Sequence, residues 1–375
     1  MVYADHAATT PCLPEVADLV AQLSVQHFGN PSSRHYALGR DARAALDTAR
    51  QQIATALTCG EEELIFTSGA TESCNLAIIG VMQRLLHQRP RILVAATEHP
   101  AVLESAAACA RAGGAVVELP VDRSGRLDLD ALSAAVDERT ALVATMLVNN
   151  ETGVIHDLPA ISAIARRAGA LVLCDATQAL GRIPFAVADL GCDLLVASGH
   201  KVYGPKGTGL LWLRRGLAIE PLMHGGGQER GLRPGTENVP GIAGMGLAVE
   251  RISSEGAGLH NHLAQMQNDL EIQLHASIAD LVIYGQDAAR APGTSFIGIP
   301  GLRRGLLAQL ASLAVSGGSS CASGQHAASH VLRAMGVSEA DAANAIRISL
   351  GRDTTATDVA TIASTVAAAV ARLRD

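Results

Sequence analysis

Lysine occurs only twice in these 375 residues, and both copies fall in one stretch, Ser198-Gly199-His200-Lys201-Val202-Tyr203-Gly204-Pro205-Lys206-Gly207. Every other basic side chain is arginine. An amine retained against that background points to chemistry a guanidinium cannot do: lysine can lose its proton and condense with a carbonyl, whereas arginine stays protonated. A Schiff base is therefore the reading of Lys201, with two surface lysines surviving by chance as the alternative. The second candidate is Cys321, set in Val315-Ser316-Gly317-Gly318-Ser319-Ser320-Cys321-Ala322-Ser323-Gly324. A thiol on such a Ser/Gly arm is accessible and suited to act as a nucleophile, or else it is an incidental loop cysteine. The other six cysteines sit in or beside expected helices and strands, where a free thiol behaves as a small hydrophobe.

The elements that must position these groups are legible from residue 64 onward. Short apolar runs at Leu64–Thr67, Ile92–Ala95, Val116–Leu119, Leu142–Val148, Leu171–Cys174, Leu194–Ala197 and Leu210–Leu213 alternate with amphipathic stretches. That pattern predicts an α/β fold, a mainly parallel seven-stranded sheet with helices on both faces. Such sheets bind ligands at the carboxyl ends of their strands. There the sequence places Ser68-Gly69-Ala70-Thr71, Glu98-His99, Asn149-Asn150-Glu151, Asp175 with Gln178, and Ser198 with His200 and Lys201. Taken singly these are ordinary loop residues; together they describe a site.

Pyridoxal 5'-phosphate suits each piece of it: an aldehyde for Lys201, a helix start at Ala70 and Thr71 for the phosphate, and Asp175 for the pyridine nitrogen. The helix dipole supplies only about 0.3 to 1 kcal/mol toward an anion, so the hydroxyls of Thr71 and Ser198 and the imidazole of His200 are expected to help. A protonated pyridine accepts the electrons left when a bond at a substrate α-carbon breaks, and Asp175 would hold that proton in place.

Downstream, helical patterns run from Val239 to about Ile278. Strands are expected at Leu281–Tyr284, Ser295–Ile299 and Ala345–Ser349, with helices at Leu302–Leu313, Ala327–Met335 and Thr355–Leu373. The expected division is a large domain over residues 13–250 and a smaller α/β C-terminal domain from residues 1–12 and 251–375, carrying the cysteine loop. Net charge of −7 and 2% aromatic residues exclude a nucleic-acid surface. No window reaches the roughly 18 unbroken apolar residues of a membrane helix, and the N-terminus lacks a signal pattern, so a cytoplasmic protein is expected. The seven cysteines have neither disulfide nor C-x-x-C spacing, and His260 with His262 reads as a solvated helix face, so no metal is expected.

Longer runs carry a resemblance: Asp5-His6-Ala7-Ala8-Thr9-Thr10-Pro11, Phe28-Gly29-Asn30-Pro31-Ser32-Ser33, Phe66-Thr67-Ser68-Gly69-Ala70-Thr71-Glu72-Ser73, Thr97-Glu98-His99, Val148-Asn149-Asn150-Glu151, Asp175-Ala176-Thr177-Gln178, Ser198-Gly199-His200-Lys201, His224 to Arg230, Arg233 to Thr236 and Ser349-Leu350-Gly351-Arg352. With them the chain resembles, over nearly its whole length, the cysteine desulfurases, the NifS- and IscS-like members of the class V aminotransferase family of fold-type I pyridoxal-phosphate enzymes. The resemblance implies that Lys201 carries the cofactor, Asp175 faces its ring nitrogen, Gln178 lies beside its ring hydroxyl and His99 stacks on the ring. It implies a phosphate site of Ala70, Thr71, Ser198 and His200, with Thr236 reaching the phosphate of the other subunit of a homodimer. Asn150 and Arg347 would face cofactor or substrate, Arg347 taking the carboxylate of L-cysteine, and Cys321 would accept the sulfur as a persulfide. An acceptor protein would take the sulfur on, for iron-sulfur cluster assembly, thiolation or DNA phosphorothioation. Cys321 is then the residue expected to touch an iron-sulfur unit, transiently. A selenocysteine lyase or a small-substrate aminotransferase is the alternative within the fold, and a cofactor-free adaptor for sulfur carriers the alternative outside it. The aminotransferase would have no use for Cys321.

Overall fold

The structure is a computed structural model and describes residues 1–302, 305–318 and 328–374. In chain order it runs β1 (Val2–Tyr3), α1 (Pro14–Val25), α2 (Ala37–Leu57), β2 (Leu64–Thr67), α3 (Ala70–Leu85), β3 (Arg91–Ala95), α4 (Pro100–Arg111), β4 (Ala115–Leu119), α5 (Leu129–Ala135), β5 (Thr140–Met146), α6 (Leu158–Arg167) and β6 (Leu171–Asp175). It continues through α7 (Val187–Leu190), β7 (Leu194–Ser198), β8 (Gly209–Leu213), α8 (Val239–Ser277), β9 (Val282–Tyr284), β10 (Thr294–Gly298), β11 (Leu313–Ala314), α9 (His330–Ala334), α10 (Glu339–Ala342), β12 (Ile346–Ser349) and α11 (Ala356–Arg374).

Seven strands form the main sheet in the order β2-β8-β7-β6-β5-β3-β4. Neighbours from β7 to β4 are parallel, and β8 runs antiparallel to both β7 and β2. Alternate side chains of a strand face opposite ways, and here both sets are apolar. Leu93, Val143, Val172, Leu195 and Leu210 share one cluster with Leu46 and Ile53 of α2, Ile161 of α6 and Met245 of α8. Ile92, Val94, Leu173, Val196 and Leu211 share another with Ile78 and Val81 of α3 and Val102 of α4. Helices therefore cover both faces, which is why the strands read as unbroken apolar runs.

A third cluster joins Ala4, Leu13 and Val16 to the later part of α8, to β9, β10 and β12, and to α11. The strands order there as β12-β10-β9, all antiparallel, while β1 pairs in parallel with β11. α8 feeds both layers: Ile242, Met245 and Val249 pack under the main sheet, and Leu259, Leu263 and Leu270 pack in this third cluster. Its helical path breaks at Gly256, where φ is 43° and ψ is −120°, a conformation that glycine adopts without steric cost. α11 is long and apolar enough by composition to cross a membrane. Its Val359, Ile362, Val366 and Val370 are nevertheless buried in the third cluster, the position of a core helix.

One expected helix is absent. Within 302–313 the described residues contain only a single turn, Leu307–Gln309, before β11 begins. The spacing of Leu302, Leu306, Leu310 and Leu313 imitates a helix, but Gly301 and Gly305 have φ of 73° and 119°, which no helix accommodates. Those leucines reach the third cluster through turns and a strand instead.

Candidate active site

The strand ends that the sequence singles out converge on one cavity of about 580 Å³, within the usual range for small-molecule sites. Its lining includes Ala70, Thr71, His99, Asn150, Asp175, Gln178, Ser198, His200, Lys201 and Arg347. A larger groove of about 1440 Å³ runs between α2 and residues 227–230, lined by Arg43, Asp47, Arg50 and Glu229 among others. That groove is open, and two ion pairs lie across its lining, Arg50 to Glu229 at 2.6 Å and Arg43 to Asp47 at 2.7 Å. The smaller cavity is the one built from strand ends, and it is the candidate site.

Lys201 ends a single helical turn, Gly199–Lys201, that follows β7. Its Nζ donates to the carbonyls of Ala7 and Ala8, both at 2.6 Å. The N-terminal segment is thus a wall of the site, held by the side chain of Thr10, which donates to the His200 carbonyl at 3.0 Å and accepts from the Tyr203 amide at 2.7 Å. Asp175 closes β6, the strand beside β7, and is 7% exposed. Its Oδ1 accepts the Thr177 amide at 2.9 Å. Gln178 donates through Nε2 to the Ala7 carbonyl at 2.8 Å. Its Oε1, like Oδ1 of Asn150, is buried without a partner among the described residues. Two unsatisfied buried acceptors in a cavity wall mark where a polar ligand belongs.

The histidines are electrically quiet. His99 caps α4, with Nδ1 accepting the Ala101 amide at 3.1 Å. Burial lowers its pKa, Asp175 pulls it up, and Lys201 and His330 lower it further, so at neutral pH it is an uncharged ring with its proton on Nε2. His200, whose Nδ1 lies 3.1 Å from the Thr9 hydroxyl, is pushed down to about 4 by burial and then by Lys201 and Lys206. Behind them Glu98 is fully buried and accepts the Met146 amide at 2.7 Å. Burial raises its pKa well above the ordinary carboxylate range, with the Asp175 carboxylate adding to the rise.

At the opposite wall Arg347, 1% exposed on β12, donates through Nη1 to the Asn150 carbonyl and through Nη2 to Asp5 Oδ1, both at 2.8 Å. Asp5 and the Ala7 and Ala8 carbonyls are site groups whose roles the motifs do not disclose. Asp5 lies 342 residues from Arg347, and only their packing reveals the pair. Near the start of α3, Gly209 approaches Gly69 so closely that a Cβ on Gly209 would meet the Gly69 Cα at 2.5 Å. That contact keeps the α3 amides against Ser198. Amine, carboxylate, amide-lined helix start and neutral imidazoles together suit a phosphorylated pyridine aldehyde. Thr236 is exposed and does not line this cavity, and Cys321 lies outside the described residues.

The profile of the class-V aminotransferases matches residues 2–362. The chain is 41% identical to a cysteine desulfurase IscS of Anaeromyxobacter sp. (strain Fw109-5), covering 100% of this chain and 93% of that protein. Among solved structures it superposes on a NifS-like protein with a TM-score of 0.92 at 35% identity, over 99% of this chain and 100% of that one. It also superposes on SspA in complex with cysteine with a TM-score of 0.83 at 31% identity, over 95% and 100% of the two chains. The chain belongs to the class-V aminotransferase family, whose cofactor is pyridoxal 5'-phosphate.

Proposed function

We propose that this protein is a cysteine desulfurase, taking the sulfur of L-cysteine onto Cys321 and releasing L-alanine. The observation that carries the reading is the meeting, in one cavity, of the Lys201 amine, the buried Asp175 carboxylate and the buried Arg347 guanidinium. Similarity to a cysteine desulfurase IscS and to SspA in complex with cysteine supports the choice of substrate.

Pyridoxal phosphate, when bound, supplies a ring that takes up the electron pair left by a bond broken at the substrate α-carbon. The protein's own groups do the rest. Lys201 Nζ would hold the aldehyde, and as a free amine it would carry the substrate α-proton. Asp175 would hold the proton of the ring nitrogen, and neutral His99 would offer the ring an uncharged imidazole face. Gln178 and Asn150 would take the ring hydroxyl and its surroundings with the acceptors they leave unsatisfied. Ala70, Thr71, Ser198 and His200 would receive the phosphate, and Thr236 would reach the phosphate of a partner subunit in a homodimer. Arg347 grips the substrate carboxylate.

The Cys321 thiolate then attacks the substrate sulfur. An S–S bond forms, the C–S bond breaks with its electron pair going to carbon, and a proton replaces the sulfur, so cysteine plus thiol becomes alanine plus persulfide. The persulfide passes to an acceptor protein in the cytoplasm, which serves iron-sulfur assembly, thiolation or phosphorothioation. The test is incubation with L-cysteine and a thiol reductant, with alanine and sulfide measured in parallel. Wild type should yield equal amounts of both, and Cys321→Ala neither. Alanine at the wild-type rate from the variant refutes the assignment.

A further inference from the structure

The second of the two lysines also lines the cavity, beside Ser68, Gly69, Gly207 and His200. Its backbone is fixed by a closed turn: the Gly199 amide donates to the Thr208 carbonyl at 3.0 Å, the Gly204 amide to the Gly199 carbonyl at 2.9 Å, and the Thr208 hydroxyl to the Pro205 carbonyl at 2.9 Å. That turn carries position 206 into the lining that also includes Ser198, while the Lys206 side chain is exposed and makes no ion pair among the described residues.

The charges at this end of the cavity make Lys206 conspicuous. A phosphate ester carries between one and two negative charges at neutral pH. Glu72 adds another, and Arg233 cancels it, with Nε 2.9 Å from Oε1. His200, held near 4 by burial and then by the two lysines, is uncharged at neutral pH. Ser198, Thr71 and the α3 amides offer dipoles but no formal charge. Lys201 is committed to the aldehyde end and Arg347 to Asp5 at the far wall. One compact cation on a flexible stem remains, the form in which lysine binds phosphate as a point charge.

We infer that Lys206 is the counter-charge of the cofactor phosphate, and so sets the preference of the site for pyridoxal phosphate over pyridoxal. The inference rests on the reading of Ala70, Thr71, Ser198 and His200 as the phosphate end.

The test is titration of the full-length protein, stripped of cofactor, with pyridoxal phosphate, with pyridoxal and with inorganic phosphate. Dissociation constants come from the absorbance of the bound aldehyde and from competition by phosphate. Lys206→Gln should weaken pyridoxal phosphate and inorganic phosphate about tenfold, as expected for a charged contact that is partly open to solvent, and leave pyridoxal unchanged. It should also flatten the salt dependence of binding. Lys206→Arg should stay within about threefold of wild type, because it keeps the charge. Unchanged affinity for pyridoxal phosphate in Lys206→Gln, or an equal loss for pyridoxal, overturns the inference. A wild type that does not distinguish pyridoxal phosphate from pyridoxal overturns the phosphate-end reading itself, and the inference with it.

Discussion

Replacing Arg347 with glutamine tests how the site holds its substrate. The guanidinium is 1% exposed, spends one N–H on Asp5 and one on the Asn150 carbonyl, and keeps Nε without a partner among the described residues. In the proposed function its remaining donors would form the fork for a substrate carboxylate. A glutamine there would offer one neutral amide in their place and leave the Asp5 carboxylate uncompensated beside the incoming anion. A hydrogen bond to a charged group contributes about 1.5 to 3 kcal/mol, so losing the fork costs about 3 kcal/mol in substrate binding. At about 1.4 kcal/mol per tenfold, kcat/KM for L-cysteine should fall by about a hundredfold, nearly all of it in KM. Initial rates of alanine formation against cysteine concentration measure this directly. Competitive inhibition by L-alanine and by alaninamide separates the carboxylate from the rest of the molecule: the variant should lose its hold on alanine and not on the amide. A KM within about threefold of wild type, or equal losses for alanine and alaninamide, refutes the assignment of the carboxylate to Arg347. Arg347→Lys, which keeps the charge but not the fork, should fall between the two.

Two other perturbations follow from the packing. Burial holds the His156 imidazole at about 4, against an ordinary value of about 6.5, with a smaller opposing pull from Asp122. Between those values the unfolded chain takes up a proton that the folded chain refuses. Stability therefore falls as pH drops through that window, by about 3 kcal/mol from this residue. Urea midpoints should decline from about pH 6.5 to about pH 4, less steeply in His156→Gln, and identical slopes in the two proteins would count against a buried neutral imidazole. In Gly209→Ala the new methyl group meets the Gly69 backbone and must displace the start of α3, at a cost of about 1 to 3 kcal/mol. Dialysis should strip cofactor from that variant about tenfold faster than from wild type, and equal retention would show that the α3 start does not bear on the phosphate.

The main sheet was legible because strands covered on both faces must be apolar throughout, and glycine and polar residues mark where each one stops. The same rule pointed to the candidate site, since Thr71, His99, Asn150, Asp175 and Ser198 lie at or just beyond strand ends and line one cavity. Lys201 stood out by composition, before any fold was assumed. What stayed hidden depends on contacts between distant segments. No local pattern reveals that Asp5 meets Arg347, or that the Ala7 and Ala8 carbonyls receive the Lys201 amine, because these partners are brought together by β1 pairing with β11 and by the bridge from Asp5 to Ser349. The expected helix at 302–313 failed for a local reason: leucine spacing outweighed Gly305, whose positive φ ends any helix. Thr236 illustrates another limit. Its proposed ligand belongs to a second copy of the chain, which no intrachain contact reports.

The central claim is that Lys201, and not Lys206, bonds covalently to the cofactor aldehyde. Borohydride reduction of the purified protein, followed by digestion and mass spectrometry of the peptide spanning residues 198–214, tests it in one step. The expected result is a pyridoxyl-phosphate adduct on Lys201 alone, with loss of the protein's visible absorbance on reduction. An adduct on Lys206, or none on either lysine, would contradict it.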